Sequence, residues 1–166
     1  GNSSTKIVFY VIGSGKFQEP LLRLSQKLSF RVIFIEKIEY TSLASFFKAK
    51  NIAVNFGMGT AALDSSCLFI PTVILDYSHE YIRGYPHYRW IFDGKKYSLG
   101  KELLKADLTL LPNESLDQIF KELRDKSSIV SHKTFEYYQN NHSIDKVVSS
   151  LLEYLKSTTL TGKHIL

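Results

Sequence analysis

Two glycine-bearing turns carry the residue types that handle anions. Gly57-Met58-Gly59-Thr60 follows a short apolar run, Asp64 comes four residues later, and Pro71 opens a second apolar run. Glycines let the backbone fold tightly, and Thr60 is a good N-cap for a following helix. Free N–H groups and the dipole at that helix start favour a phosphate, each contact giving about 0.3–1 kcal/mol and up to ~2 when partly buried. Asp64 either offsets the dipole or accepts hydrogen bonds from a ribose diol, as acids do in nucleotide-binding folds. Spacing leaves both open.

The second turn is Gly13-Ser14-Gly15-Lys16. A P-loop needs a Ser or Thr after the lysine, and Phe17 stands there; a dinucleotide fingerprint needs a third glycine where Gln18 stands. What remains is either a turn whose backbone approaches a ligand beside the Lys16 ammonium, or a plain tight turn. Further along, residues 76–80 end an expected strand in a polar cluster, from which His79 and Glu80 are candidates for contact with a sugar or phosphate. Arg83 and Arg89 are candidate phosphate clamps on the long aromatic stretch that follows, residues 79–100, which contains the single Trp. The histidines at 79, 87, 132, 142 and 164 lack metal-ligand spacing, so no metal is assigned. Leu63 and Cys67 are expected in the core. No residue is singled out as catalytic.

The elements that must position these groups read as alternating strands and helices. Apolar runs at residues 6–12, 31–36, 52–56, 72–77 and 106–111 are short and do not alternate cleanly, as strands covered on both faces do. Helical stretches lie at 19–28, 41–50 and 60–68. The C-terminal third is helical: Ser115 with Gln118 can form a capping box, and Ser143 can cap a last helix with Val147, Val148, Leu151, Leu152 and Leu155 as its stripe. The pattern predicts an α/β fold, a single Rossmann-like domain over residues 6–157. Its sheet is a doubly wound parallel one of about five or six strands, with a helical C-terminus. Residues 158–166 read as a flexible tail.

Bulk properties narrow the class. Hydrophobic content of 44% with 22% charged residues is ordinary for a globular chain. No apolar run reaches the roughly 18 residues of a membrane span, and the lone Cys67 makes no internal disulfide. The expected setting is therefore cytoplasmic. A net charge of +5, scattered rather than clustered, suits a phosphate-bearing small molecule or an anionic membrane surface, including a place on the inner face of a membrane, and not nucleic acid. The chain opens on Gly1 and its only Met is Met58, so residues 1–5 read as a polar leader or cloning remnant of a piece of something longer.

Taken together, Gly57-Met58-Gly59-Thr60, Asp64, Pro71 and the Val-Ile-Leu-Asp run after it resemble the C-terminal, nucleotide-sugar-binding half of two-domain (GT-B) glycosyltransferases. These enzymes serve bacterial capsule, lipopolysaccharide and peptidoglycan assembly. The early strand ending in Gly13-Ser14-Gly15 and the helical end resemble the same half, so the likeness covers nearly the whole chain. It implies transfer of a sugar from a nucleoside diphosphate to an acceptor hydroxyl, with no cofactor beyond the nucleotide-sugar substrate. Gly13, Gly15, Lys16 and the turn from Gly57 through Met58 and Gly59 to Thr60 would face phosphates, and Asp64 the ribose. The missing partner is an N-terminal acceptor-binding half, without which this segment is expected to be inactive. A sugar-nucleotide epimerase, or a non-catalytic flavodoxin-like module sensing a phosphorylated ligand, are the alternatives. The family more often has Glu at the position of Asp64, and Gly at that of Phe69. That Gly suits a left-handed helix end, so the helix here is expected to end differently.

Overall fold

A computed structural model describes residues 7–79, 88–94, 97–104 and 115–158. The chain divides into two compact units, Gly1–Asn51 and Ile52–Leu166. In the first, β1 (Val8–Ile12) and β2 (Arg31–Ile35) pair in parallel from Val8↔Arg31 to Ile12↔Ile35. Both are runs of β-branched and aromatic residues. Helix α1 (Gln18–Ser25) makes the crossover and carries Pro20 in its first turn, where a missing N–H costs nothing. Helix α2 (Tyr40–Lys50) packs on β1 through an edge-on contact of Phe46 with Tyr10, centroids 5.5 Å apart. It stops at Asn51, which adopts the left-handed conformation that Asn tolerates (φ 49°).

The second unit starts with another strand–helix–strand piece: β3 (Asn55–Gly57), α3 (Gly59–Ser66) and β4 (Thr72–Ile74), the two strands parallel with Asn55↔Thr72 and Gly57↔Ile74 in register. Then the pattern changes. β5 (Arg89–Trp90) runs antiparallel to β4, with Val73↔Trp90 and Ile74↔Arg89 opposed, and leads into a 3₁₀ turn (Ile91–Asp93). Two helices follow: α4 (Leu116–Asn141), broken at Lys126 (φ −141°, ψ 27°), and α5 (Ile144–Ser157). Ser115 and Ser143 cap them by accepting the N–H groups of Gln118 and Lys146.

The expected doubly wound parallel sheet is therefore corrected. Among the described residues the strands form a two-stranded sheet, β1-β2, and a three-stranded mixed sheet, β3-β4-β5. The run expected at 72–77 pairs as a strand only to Ile74, because Asp76 turns inward to meet Arg89, and the next neighbour of β4 returns in the opposite sense. β4 is covered on both faces as anticipated, whereas β1 and β2 contain no buried residue. The strand expected at 106–111 and the tail beyond Thr158 lie outside the described residues.

The core of the second unit is built on β4. Val73 packs with Trp90, Ile119 and Val130 on one side; Ile74 packs with Ala62, Ile91 and Tyr137 on the other. Trp90, Ile74, Ile91 and Ile119 are the largest side chains fully withdrawn from water. The α5 stripe, in contrast, contributes no buried residue.

Helix α3 also ends otherwise than its sequence suggested. Phe69 itself takes the left-handed conformation (φ 59°) that a glycine would favour. Its ring stacks on Phe135 of α4 at 3.8 Å and meets His132 edge-on, which offsets a strain of about 1–2 kcal/mol. The two contributions can be separated. Phe69→Ala keeps the strained backbone and loses the stack, so it should cost about 1–3 kcal/mol in chemical denaturation. Phe69→Gly loses the stack but relaxes the backbone and should be more stable than the Ala variant by about 1 kcal/mol. Equal stabilities would show that the conformation of residue 69 carries no strain.

Candidate functional site

The turn between β3 and α3 has a defined geometry. Its helix begins one residue earlier than the sequence indicated: Met58 is the N-cap, no side chain caps it, and Thr60 is the second helical residue. The cause is Gly59, whose φ of 56° lets the chain enter the helix directly where an L side chain would be strained. Gly57 is fixed by crowding, since a Cβ there would come within 3.1 Å of Asn55 Nδ2. That amide donates to Ser65 Oγ (2.9 Å), which shares a hydrogen bond with Thr72 Oγ1 (2.8 Å). This buried polar chain ties α3 to β3 and β4. Sequence reasoning missed it, although Thr72, a polar residue between Pro71 and Val73, was a visible signal.

Residues 97–104 run across the turn. Gly59 N–H donates to the Leu99 carbonyl at 2.7 Å, so one amide of the helix start is already occupied. Among the described residues, the Thr60 and Ala61 amides have no acceptor outside the helix, which leaves them to face an anion. Gly100 lies against Met58; a Cβ on it would fall 2.9 Å from Met58 Cβ. The same segment lines up beside the extension of β4, with Tyr77 N–H donating to Lys101 O (3.0 Å) and Leu103 N–H to Tyr77 O (2.7 Å). Sequence reasoning read residues 97–100 as the end of the long aromatic connection at the sheet edge and did not anticipate this pairing.

Arg89 holds the strap down. Its Nε donates to Asp76 Oδ2 (3.1 Å) and its Nη2 to Oδ1 (3.0 Å), a two-pronged pair with side chains 14% and 1% exposed. Nη2 also reaches Ser98 Oγ at 3.3 Å, and Lys101 N–H donates to Asp76 Oδ1 at 2.8 Å. The structure thus places Arg89 in β5, with its guanidinium occupied by Asp76. His79 stands at the edge of the strap, strongly exposed, 4.0 Å from Glu102 and edge-on to Tyr77. Glu80 and Arg83 lie outside the described residues.

Asp64 is the sixth of the eight residues of α3, far from the first turn where an acid offsets the dipole. Its side chain is half-buried, and burial pushes its carboxyl above the ordinary aspartate range. Among the described residues no donor or cation reaches that carboxylate. Cys67 sits one turn on, its thiol pushed up by burial first and then by the charge of Asp64, with Sγ donating to the Asp64 carbonyl at 3.1 Å. Leu63 packs against the Ile74 cluster, and Cys67 is half-buried.

Gly13, Gly15 and Lys16 belong to the first unit. Gly13 N–H donates to Ile35 O (2.9 Å) and prolongs the β1-β2 ladder, and Gln18 N–H donates to Gly15 O (3.0 Å) as the chain turns into α1. A Cβ on either glycine would meet nothing within 4 Å, so the turn is open, and the Lys16 ammonium lies 5.0 Å over the Phe17 ring.

No family model, curated protein or solved structure matches this chain. The likeness to GT-B enzymes accordingly stays with the motif residues that carry it. Among the described residues, no helix is long and apolar enough to cross a membrane.

Proposed function

We propose that the chain binds the nucleotide-sugar donor of a glycosyltransferase, moving a sugar from a nucleoside diphosphate to an acceptor hydroxyl. The observation that carries this reading is Asp64: a half-buried carboxylate, raised by burial and with no partner among the described residues, on the helix that the Gly57–Thr60 turn opens. A desolvated acid without a donor is unfavourable to the fold, and a ribose diol would satisfy it with two hydroxyl donors. At the other end of α3, the Thr60 and Ala61 amides meet the requirement of a diphosphate for fixed donors as charge develops on the leaving group. An eight-residue helix is about 12 Å long at 1.5 Å per residue, so amides and carboxylate lie within the span of one nucleotide.

Calorimetry against UDP, GDP, ADP, CDP and TDP tests the proposal. A single half-cleft should bind one of them with a Kd of about 10 μM to 1 mM, roughly 4–7 kcal/mol. Absence of heat for every nucleotide at millimolar concentration would remove the donor-binding reading.

A further inference from the structure

We infer that helix α5 is the interface to a second copy of this chain, the two helices packing antiparallel through their apolar stripes about a two-fold axis beside Leu151. At about 100° per residue, Ile144, Val147, Val148, Leu151, Leu152 and Leu155 share an arc of about 140° on one side of the helix. Each is nevertheless 44–72% exposed. Ser143, at the helix start, is buried, and from Ile144 to Ser157 every residue is exposed except the half-buried Ser150. None of these residues belongs to the donor turn proposed above.

A helix of 14 residues is marginal in water by itself, and most helical stability in proteins comes from packing an amphipathic face. In α5 that face is built and left uncovered. Lys146, Ser149 and Glu153 fall on the opposite side of the helix, so a single surface calls for a partner. A self-complementary contact across a two-fold axis covers both stripes at once and closes on itself.

Charge decides the occupant and its direction. Asp145 and Lys156 are eleven residues apart, about three turns, which places both on the flank beside Leu152. The helix dipole accounts for an acid in the first turn and a base in the last, but not for their common flank. A two-fold axis perpendicular to the plane of both helices sets that flank against its own copy in reverse order. Asp145 then meets Lys156 of the second copy, and Lys156 meets Asp145, with the axis passing between Ser150 and Leu151. The stripe follows the same order, Ile144, Val147 and Val148 facing Leu151, Leu152 and Leu155. Parallel helices would instead oppose acid to acid and base to base. An anionic membrane fits less well, because such surfaces draw basic helices and the two acids and two lysines of α5 cancel.

Sedimentation velocity of the full chain tests the interface. Between about 1 and 300 μM the mean mass should rise from 19.0 kDa toward twice that value, with its midpoint at about 10–100 μM. Leu151→Glu changes an exposed position, so the fold should survive, as circular dichroism would check, while the mass stays at 19.0 kDa throughout. Asp145→Lys and Lys156→Glu should each weaken the dimer about three- to tenfold, because attraction across the axis becomes repulsion. The double variant should regain most of the parental affinity, although its charges then oppose the helix dipole at both ends. A constant mass of 19.0 kDa in the parent would overturn the proposal, as would a dimer that survives Leu151→Glu or a double variant no tighter than the single ones. A chain that stays monomeric but floats with phosphatidylglycerol vesicles would assign the stripe to a lipid surface instead.

Discussion

Asp76→Ala is expected to destabilise the second unit by about 3–5 kcal/mol, the cost of stranding a buried charge. Arg89 is 14% exposed and directs two donors at Asp76, so alanine leaves the guanidinium with Ser98 in place of a carboxylate and the Lys101 amide without the Asp76 oxygen. In a unit of this size the loss should lower the melting temperature by about 10–20 °C. The double variant Asp76→Ala/Arg89→Met should recover part of it, because removing both charges removes the uncompensated one. If the single variant melts within a degree or two of the parent, the pair does not hold the strap. The same change should loosen residues 97–104, and faster hydrogen exchange at Gly59 would show that the Leu99 carbonyl had left the start of α3.

This pair also shows where the sequence ceased to be readable. Arg89 and Asp76 are thirteen residues apart with no periodicity in the sequence between them, and it is the antiparallel pairing of β5 with β4 that brings their strands together. An arginine among tyrosines on a long connection looks like a ligand clamp; the fold uses it as an internal anchor. Local features transferred well. Pro71 immediately before a three-residue buried strand, the serine caps at 115 and 143, and a helix opening at the glycine turn are written in side chains within a few residues of one another. Sheet order is not local. The apolar runs that became β1 and β4 look alike in composition, and nothing in them states that β4 will take an antiparallel neighbour or that β1 and β2 will pair by themselves. At Phe69 the sequence showed a missing glycine but not Phe135, sixty-six positions on, whose ring stabilises the same left-handed backbone. At the candidate site the residue types were legible and their occupancy was not: Gly59 was recognised as a turn residue, while the Leu99 carbonyl on its amide depends on the strap.

Asp64→Asn should separate function from stability by moving them in opposite directions. If the carboxylate accepts a ribose diol, losing its charge should weaken binding of the preferred nucleotide by about 1.5–3 kcal/mol, roughly 10- to 150-fold. The folded protein should respond otherwise. Burial raises the Asp64 carboxyl above its ordinary value, so folding favours the protonated acid. That contribution is fully present below the unfolded value and is lost as pH rises through the folded one. At pH 7 the ionised, half-buried carboxylate therefore opposes folding, and asparagine, which is neutral and nearly the same shape, should melt higher. The two melting curves should converge as pH falls below about 4, where the aspartate is protonated in both states. A carboxylate acting as a structural partner gives the reverse pattern, with the asparagine variant melting lower at pH 7 and nucleotide affinity unchanged. A residue that lowers stability while strengthening binding is what a ligand site requires. Measuring both quantities on one variant decides between a ribose acceptor and an ordinary surface acid.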